Sequence, residues 1–86
     1  MDINILISII KEKITKNISY ENLKIEDKSF LHKNHPGNDN NKFHIKLSIQ
    51  SEELKKIGRI ESNKKIYKVL KEEISKSIHS LQISIN

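Results

Sequence analysis

Three histidines are the residues of this chain best placed to do chemistry. His79 opens a hydrophobic segment, His79-Ser80-Leu81-Gln82-Ile83-Ser84-Ile85, and two more stand upstream in Asp27-Lys28-Ser29-Phe30-Leu31-His32-Lys33-Asn34-His35. Imidazole is the commonest metal ligand among side chains and titrates near neutrality. With no cysteine and one methionine in the chain, no other soft ligand of consequence competes with it. Two or three imidazoles make an incomplete set, because closed sites usually want four ligands, so a metal here needs ligands from elsewhere. Rieske-type iron–sulfur centres, with nitrogen ligands on one side and thiolates on the other, show that such mixed sets exist. The plainer alternative is solvated side chains for His32 and His35 and a satisfied, half-buried one for His79. The fourth histidine, His44, alternates onto the outward face of its segment and is expected at the surface.

The remaining composition narrows the functions available. At 86 residues the chain is read as one domain, 1–86, too small to enclose a sizeable active site. Lacking cysteine, it can form no disulfide, no thiolate zinc site and no thiol nucleophile. No nucleophile–base pair or phosphate-binding glycine loop appears, and Glu72-Glu73 reads as a solvated helix face, so a non-enzymatic protein is expected.

A formal net charge of +5 invites a nucleic-acid partner. Heavy use of Ile, Lys and Asn, all with AT-rich codons, accounts for many lysines without selection for phosphate contact. Arg59 is the only arginine, and Tyr20, Phe30, Phe43 and Tyr67 are few for a stacking platform, so weak nucleic-acid binding is expected. The apolar start, Met1 to Ile10, carries an acid at its head and is followed by Lys11-Glu12-Lys13. That fits neither a secretory signal nor a membrane span of about 20 apolar residues. A soluble, cytoplasmic protein that touches no membrane is expected.

The elements that must position the histidines follow from periodicity. Asp2 can cap a helix in which Ile3, Leu6, Ile7, Ile10 and Ile14 share a face, ending near Asn17, with Glu12 and Lys16 paired outside. Leu23 to Asp27 and Phe43 to Ile49 alternate as strands with one wet face. Between them Lys28 to Asn41, with Pro36-Gly37 and an asparagine-rich run, reads as a mobile polar loop. Ser51 caps a short helix over Glu52 to Ile57 that Gly58 breaks. A longer helix is predicted from about Glu61 to Ser77, capped by Ser62 or Asn63 and burying Ile66, Val69, Leu70, Ile74 and Ile78. The last strand places Leu81, Ile83 and Ile85 on one face, with His79 in phase with them.

Three strands with one apolar face require helices on that face, an α+β two-layer sandwich of α-β-β-α-α-β order with a mixed sheet. The two-helix crossover is long enough to bring the last strand back parallel to the second. If those strands are adjacent, His79 meets the edge where the His32/His35 loop enters strand two.

Residues now carry a family resemblance, from about Ile10 to Ile85. The chain resembles a BolA protein in Leu23-Lys24-Ile25-Glu26-Asp27-Lys28-Ser29-Phe30-Leu31-His32, matching a strand that leads into Asp-x-Ser and then a loop His or Cys. Lys42-Phe43-His44-Ile45 answers a strand of His-Phe-Lys-Val type, and His79-Ser80-Leu81 answers a closing His-Ala-Leu; Ile66-Tyr67, Leu70 and Glu72-Glu73 match the third helix. The resemblance implies a class II KH-like fold and a monothiol glutaredoxin as partner, with the chain monomeric when alone. It also implies a [2Fe-2S] cluster held by a glutaredoxin cysteine, a glutathione thiol, His79 and a loop ligand. His32 is preferred for that ligand, with His35 as its alternative. No cofactor is expected in the isolated chain. The helical surface around Lys64 and Tyr67 is the expected contact with glutaredoxin. The family's Arg-His-Arg falls on Ser62-Asn63-Lys64, so its titratable group is replaced by an amide. The KH Gly-x-x-Gly clamp is missing, since Gly58 stands alone. The expected function is an adaptor of iron–sulfur or iron homeostasis, with a BolA-type DNA-binding transcriptional regulator as the alternative.

Overall fold

The computed structural model describes residues 2–29 and 42–86. His32, His35 and the Pro36-Gly37 segment therefore lie outside the described residues. Helix α1 spans Ile3–Asn17 and begins where the Asp2 side chain accepts the Asn4 N–H at 2.8 Å, satisfying one of the donors that a helix start leaves open. Leu6, Ile10 and Ile14, spaced four apart, are fully buried.

Strands β1 (Asn22–Asp27), β2 (Phe43–Gln50) and β3 (Ile78–Ile85) form a sheet in the order β1-β2-β3, antiparallel for the first pair and parallel for the second. The expected mixed sheet and adjacent parallel strands are both present. On β2, Ile45, Leu47 and Ile49 point into the core, which Leu23, Ile25, Phe43, Leu81, Ile83 and Ile85 border from all three strands. Each such aliphatic side chain, fully buried, stabilises the fold by about 1.5–3 kcal/mol. The helices lie over this face and make the two layers.

The crossover departs from its predicted shape. Ser51 is the cap of α2: its hydroxyl accepts the Leu54 N–H at 3.2 Å and donates to the Ser19 carbonyl at 2.6 Å. Gly58 breaks the helix as expected: α2, Glu52–Val69, consists of two helical stretches that meet at Gly58, whose φ of 85° and ψ of 168° are non-helical, open to glycine and costly for other residues. Neither Ser62 nor Asn63 starts a new helix. Ser62 is buried, and its hydroxyl donates to the Leu54 carbonyl at 2.8 Å, tying the two halves of the kinked helix together. The long helix expected to reach Ser77 is instead interrupted at Leu70 (φ −101°, ψ 18°), and a short α3 follows over Lys71–Lys76. The break lets Leu70 stay fully buried while presenting Glu73 to α1, where both its carboxylate oxygens accept from Lys13 Nζ at 2.9 and 2.7 Å. Glu73 is only 8% exposed, so the Glu72-Glu73 pair is not a solvated face: only Glu72 remains in water. Among the described residues, no helix is long and apolar enough to cross a membrane.

Candidate functional site

The parallel pairing of β2 with β3 contains one irregularity, and it falls at the histidine. Phe43 pairs with Ile78, but His44 pairs with Ser80, so β3 carries one residue more than β2 between these rungs. His79 is that extra residue, the mark of a β-bulge. The insertion corrects the expectation that His79 lies in phase with Leu81, Ile83 and Ile85. Ile78 takes the core-facing place, at 3% exposure, and His79 is exposed on the other side of the sheet. Periodicity of two cannot reveal this, because a single unpaired residue reverses the parity of everything before it.

His44 is the residue that sequence reasoning misplaced. It lies on the face away from the helices, as expected, yet is only 6% exposed. Its Nδ1 stands 2.7 Å from Ser80 Oγ and its Nε2 3.3 Å from His79 Nδ1. The two rings meet edge to face, with centroids 4.8 Å apart and planes at 74°. Ser80, directly across the ladder, could have signalled a polar partner for His44, but only once the bulge fixes the register.

The residues that follow β1 are fastened to the same place. Asp27 Oδ1 accepts the Ser29 N–H at 2.9 Å, and Ser29 Oγ accepts the His44 N–H at 3.0 Å. The Lys28 N–H donates to the His44 carbonyl at 2.7 Å, while the Phe43 N–H donates to the Ser77 carbonyl at 2.9 Å. The Asp-x-Ser triplet thus works as a clasp: the acid turns the chain and the hydroxyl caps an open N–H of β2. His79 stands beside the point where the described chain leaves β1 and re-enters β2. His32 and His35 themselves lie outside the described residues.

The other anticipated residues sit elsewhere on α2. Tyr67 is half exposed, with its hydroxyl 3.4 Å from the Leu81 carbonyl, two residues along β3 from His79. Lys64 is exposed, 3.7 Å from Glu61, on an open groove of about 700 Å³ that it shares with Asn17, Ile57, Lys65 and Lys68. Asn63 lines a separate groove with Arg59, Ile83 and Asn86. At about 3.3 Å of rise per residue, Ile83 and the end of β3 at Ile85 are roughly 13 and 20 Å from His79. Asparagine at this position therefore leaves the histidine edge untouched.

Comparison with known proteins agrees with this frame. Residues 14–86 match the family described as BolA-like protein. The chain belongs to the BolA-like family. A relative from Haemophilus influenzae, named DNA-binding transcriptional regulator BolA, is 35% identical over 77 residues, which are 90% of this chain and 72% of the relative. Among solved structures, BolA1 from Arabidopsis thaliana superposes with a TM-score of 0.75 at 27% identity, covering 91% of this chain and 86% of that one. The BolA domain of SufE1 from the same plant gives 0.74 at 28%, covering 90% and 85%. BolA1 from Mus musculus shares the fold, with a TM-score of 0.71 at 19% identity over 90% of this chain and 60% of that one.

For the iron–sulfur cluster that the BolA resemblance implies, the donor set fits as a partial one. Among the described residues no group of three potential metal ligands occurs. The chain offers an exposed imidazole whose second ring nitrogen already has a partner, the arrangement that metal-binding histidines usually show.

Proposed function

We propose that this BolA-like protein is a non-enzymatic adaptor that binds a cytosolic monothiol glutaredoxin and co-ligates a [2Fe-2S] cluster in iron–sulfur or iron homeostasis. The observation that carries this reading is His79 at a bulge, exposed, beside the end of β1 and the start of β2, between which His32 and His35 stand in the sequence. His79 gives one nitrogen ligand and the loop a second, His32 in preference to His35. Glutaredoxin and glutathione supply the thiolates this chain lacks. Nitrogen ligation raises the reduction potential of such a cluster relative to all-thiolate ligation. The chain alone is monomeric in this reading and holds no cluster; the α2 surface around Lys64 and Tyr67 receives glutaredoxin.

Mixing the purified chain with cluster-loaded monothiol glutaredoxin and glutathione, and recording visible absorption and circular dichroism, tests the proposal. A new histidine-ligated spectrum is expected. His79→Ala should abolish it while apo binding to glutaredoxin largely survives. The loss should be greatest for His79→Ala, because a strand-held ligand loses less entropy on coordination than one on a loop, with His32→Ala next and His35, the alternative loop ligand, able to substitute only in part. An unchanged spectrum in His79→Ala would refute the ligand assignment.

The second reading, a DNA-binding transcriptional regulator, is favoured by one specific observation: the 35%-identical relative carries that name. It gains from the net charge of +5 and is weakened by the single arginine.

A further inference from the structure

Three polar side chains stand in a row across the β2–β3 ladder: Ser80 Oγ, 2.7 Å to His44 Nδ1, and His44 Nε2, 3.3 Å to His79 Nδ1. A neutral imidazole carries one proton, so the sense of the first contact sets the sense of the second. If Ser80 donates to His44 Nδ1, the His44 proton sits on Nε2 and points at His79 Nδ1, which must then accept. The His79 proton is left on Nε2. If instead His44 Nδ1–H donates to Ser80, His44 Nε2 accepts from His79 Nδ1–H, and the lone pair of His79 is on Nε2. Only the second arrangement gives His79 a free nitrogen lone pair on the atom remote from the contact.

We propose that His44 is a positioning residue: anchored by Ser80, it holds the exposed His79 ring in its Nδ1–H tautomer, so that Nε2 is the atom offered to iron. The inference rests on the adaptor reading for its purpose, although not for its test. Two features of the fold favour it. His44 is nearly buried and its backbone N–H and carbonyl are fastened to Ser29 and Lys28, so it is a rigid anchor, whereas the bulge leaves His79 outside the regular ladder. Buried polar partners of a ligating imidazole are worth about 10–100-fold in metal affinity. His44 stands where the BolA pattern quoted above has lysine, a cation that donates and has no lone pair with which to accept from His79 Nδ1.

The test begins with the isolated, ¹⁵N-labelled chain at a pH of about 8, where imidazole is ordinarily neutral. Long-range proton–nitrogen correlation spectra report which nitrogen of each ring is protonated. Free neutral histidine favours Nε2–H; the expected result for both His44 and His79 is Nδ1–H. In His44→Phe, which keeps a flat ring but removes the acceptor, His79 should revert to Nε2–H, and His44→Gln, whose amide oxygen can accept, should restore Nδ1–H at least in part. Ser80→Ala provides the same readout should the position 44 variants fold poorly, and it should also release His79 to Nε2–H.

His79 found as Nε2–H in the parent chain would overturn the proposal, as would an unchanged His79 tautomer in a folded His44→Phe or Ser80→Ala. In the complex, His44→Phe should weaken cluster retention by about 10–100-fold. Should no histidine-ligated spectrum form even with the parent chain, the adaptor reading fails while the tautomer result stands on its own.

Discussion

Lys13 on α1 and Glu73 on α3 form a two-pronged ion pair, Nζ lying 2.9 and 2.7 Å from the two carboxylate oxygens, sixty residues apart in sequence. The carboxylate is almost buried and the ammonium two-thirds so. The hydrogen bond to Glu73 holds the Lys13 ammonium above the ordinary lysine value of 10.5, against the opposing effect of desolvation. A raised folded value means the pair's contribution is complete below 10.5 and fades as pH rises through the higher folded value. Thermal unfolding should therefore show a fall in Tm in strong alkali that is smaller in Glu73→Gln. At neutral pH, Lys13→Ala should be more harmful than Lys13→Ala combined with Glu73→Leu, since the single change leaves a buried carboxylate without its cation.

In acid the corresponding group is Glu53. Its side chain accepts from Lys65 Nζ at 2.7 Å and from the Ser19 N–H at 3.4 Å, and these partners, the lysine first, hold its carboxyl below the usual value of 4.5. A lowered folded value means that stability is present above 4.5 and is lost as pH falls through the folded value. A Tm profile from neutral pH downward should bend below that value, and Glu53→Gln should flatten the bend while lowering the neutral plateau only slightly. A bend of unchanged depth in Glu53→Gln would assign the acid sensitivity instead to Glu26, held low by Lys24, and Glu12, held low by Lys16.

Gly58 offers a test free of packing effects. A methyl group at this position would meet nothing within 4 Å, so any cost of Gly58→Ala is the cost of the backbone conformation alone. Holding a residue with a Cβ at this φ and ψ should cost about 1–3 kcal/mol in denaturant unfolding, unless the kink straightens. A neutral or stabilising Gly58→Ala would show that α2 can run straight through.

Nucleic-acid affinity should be weak and should collapse between low and physiological salt, because it rests on scattered lysines that release counterions. Anisotropy titrations with labelled duplexes of different sequence check this. A sequence-selective complex that persists at physiological salt would place DNA recognition ahead of the adaptor reading.

Much of the fold was legible in the sequence. The spacing of Leu6, Ile10 and Ile14, the alternation from Phe43 to Ile49 and the length of the crossover give α1, β2 and the parallel β3 their places. The interruption at Leu70 was hidden because its neighbours keep a helical spacing on both sides, and the burial of Glu73 because its partner lies on another helix. The candidate site was half legible. His79 announced itself by type and position, but the bulge that turns it out of the core, and the His44 and Ser80 contacts that follow, depend on inter-strand register, which no local pattern encodes.

An unpaired residue in a ladder is also a place where evolution can experiment at little risk. Ile78 and Leu81 fill the core places on either side of His79, so the interior is indifferent to which side chain occupies position 79. Descendants of this fold can exchange the imidazole there for another donor, or abandon it altogether, without renegotiating how the molecule holds together. Chemistry and architecture are thereby inherited separately at this edge, and loss of the one leaves no scar on the other.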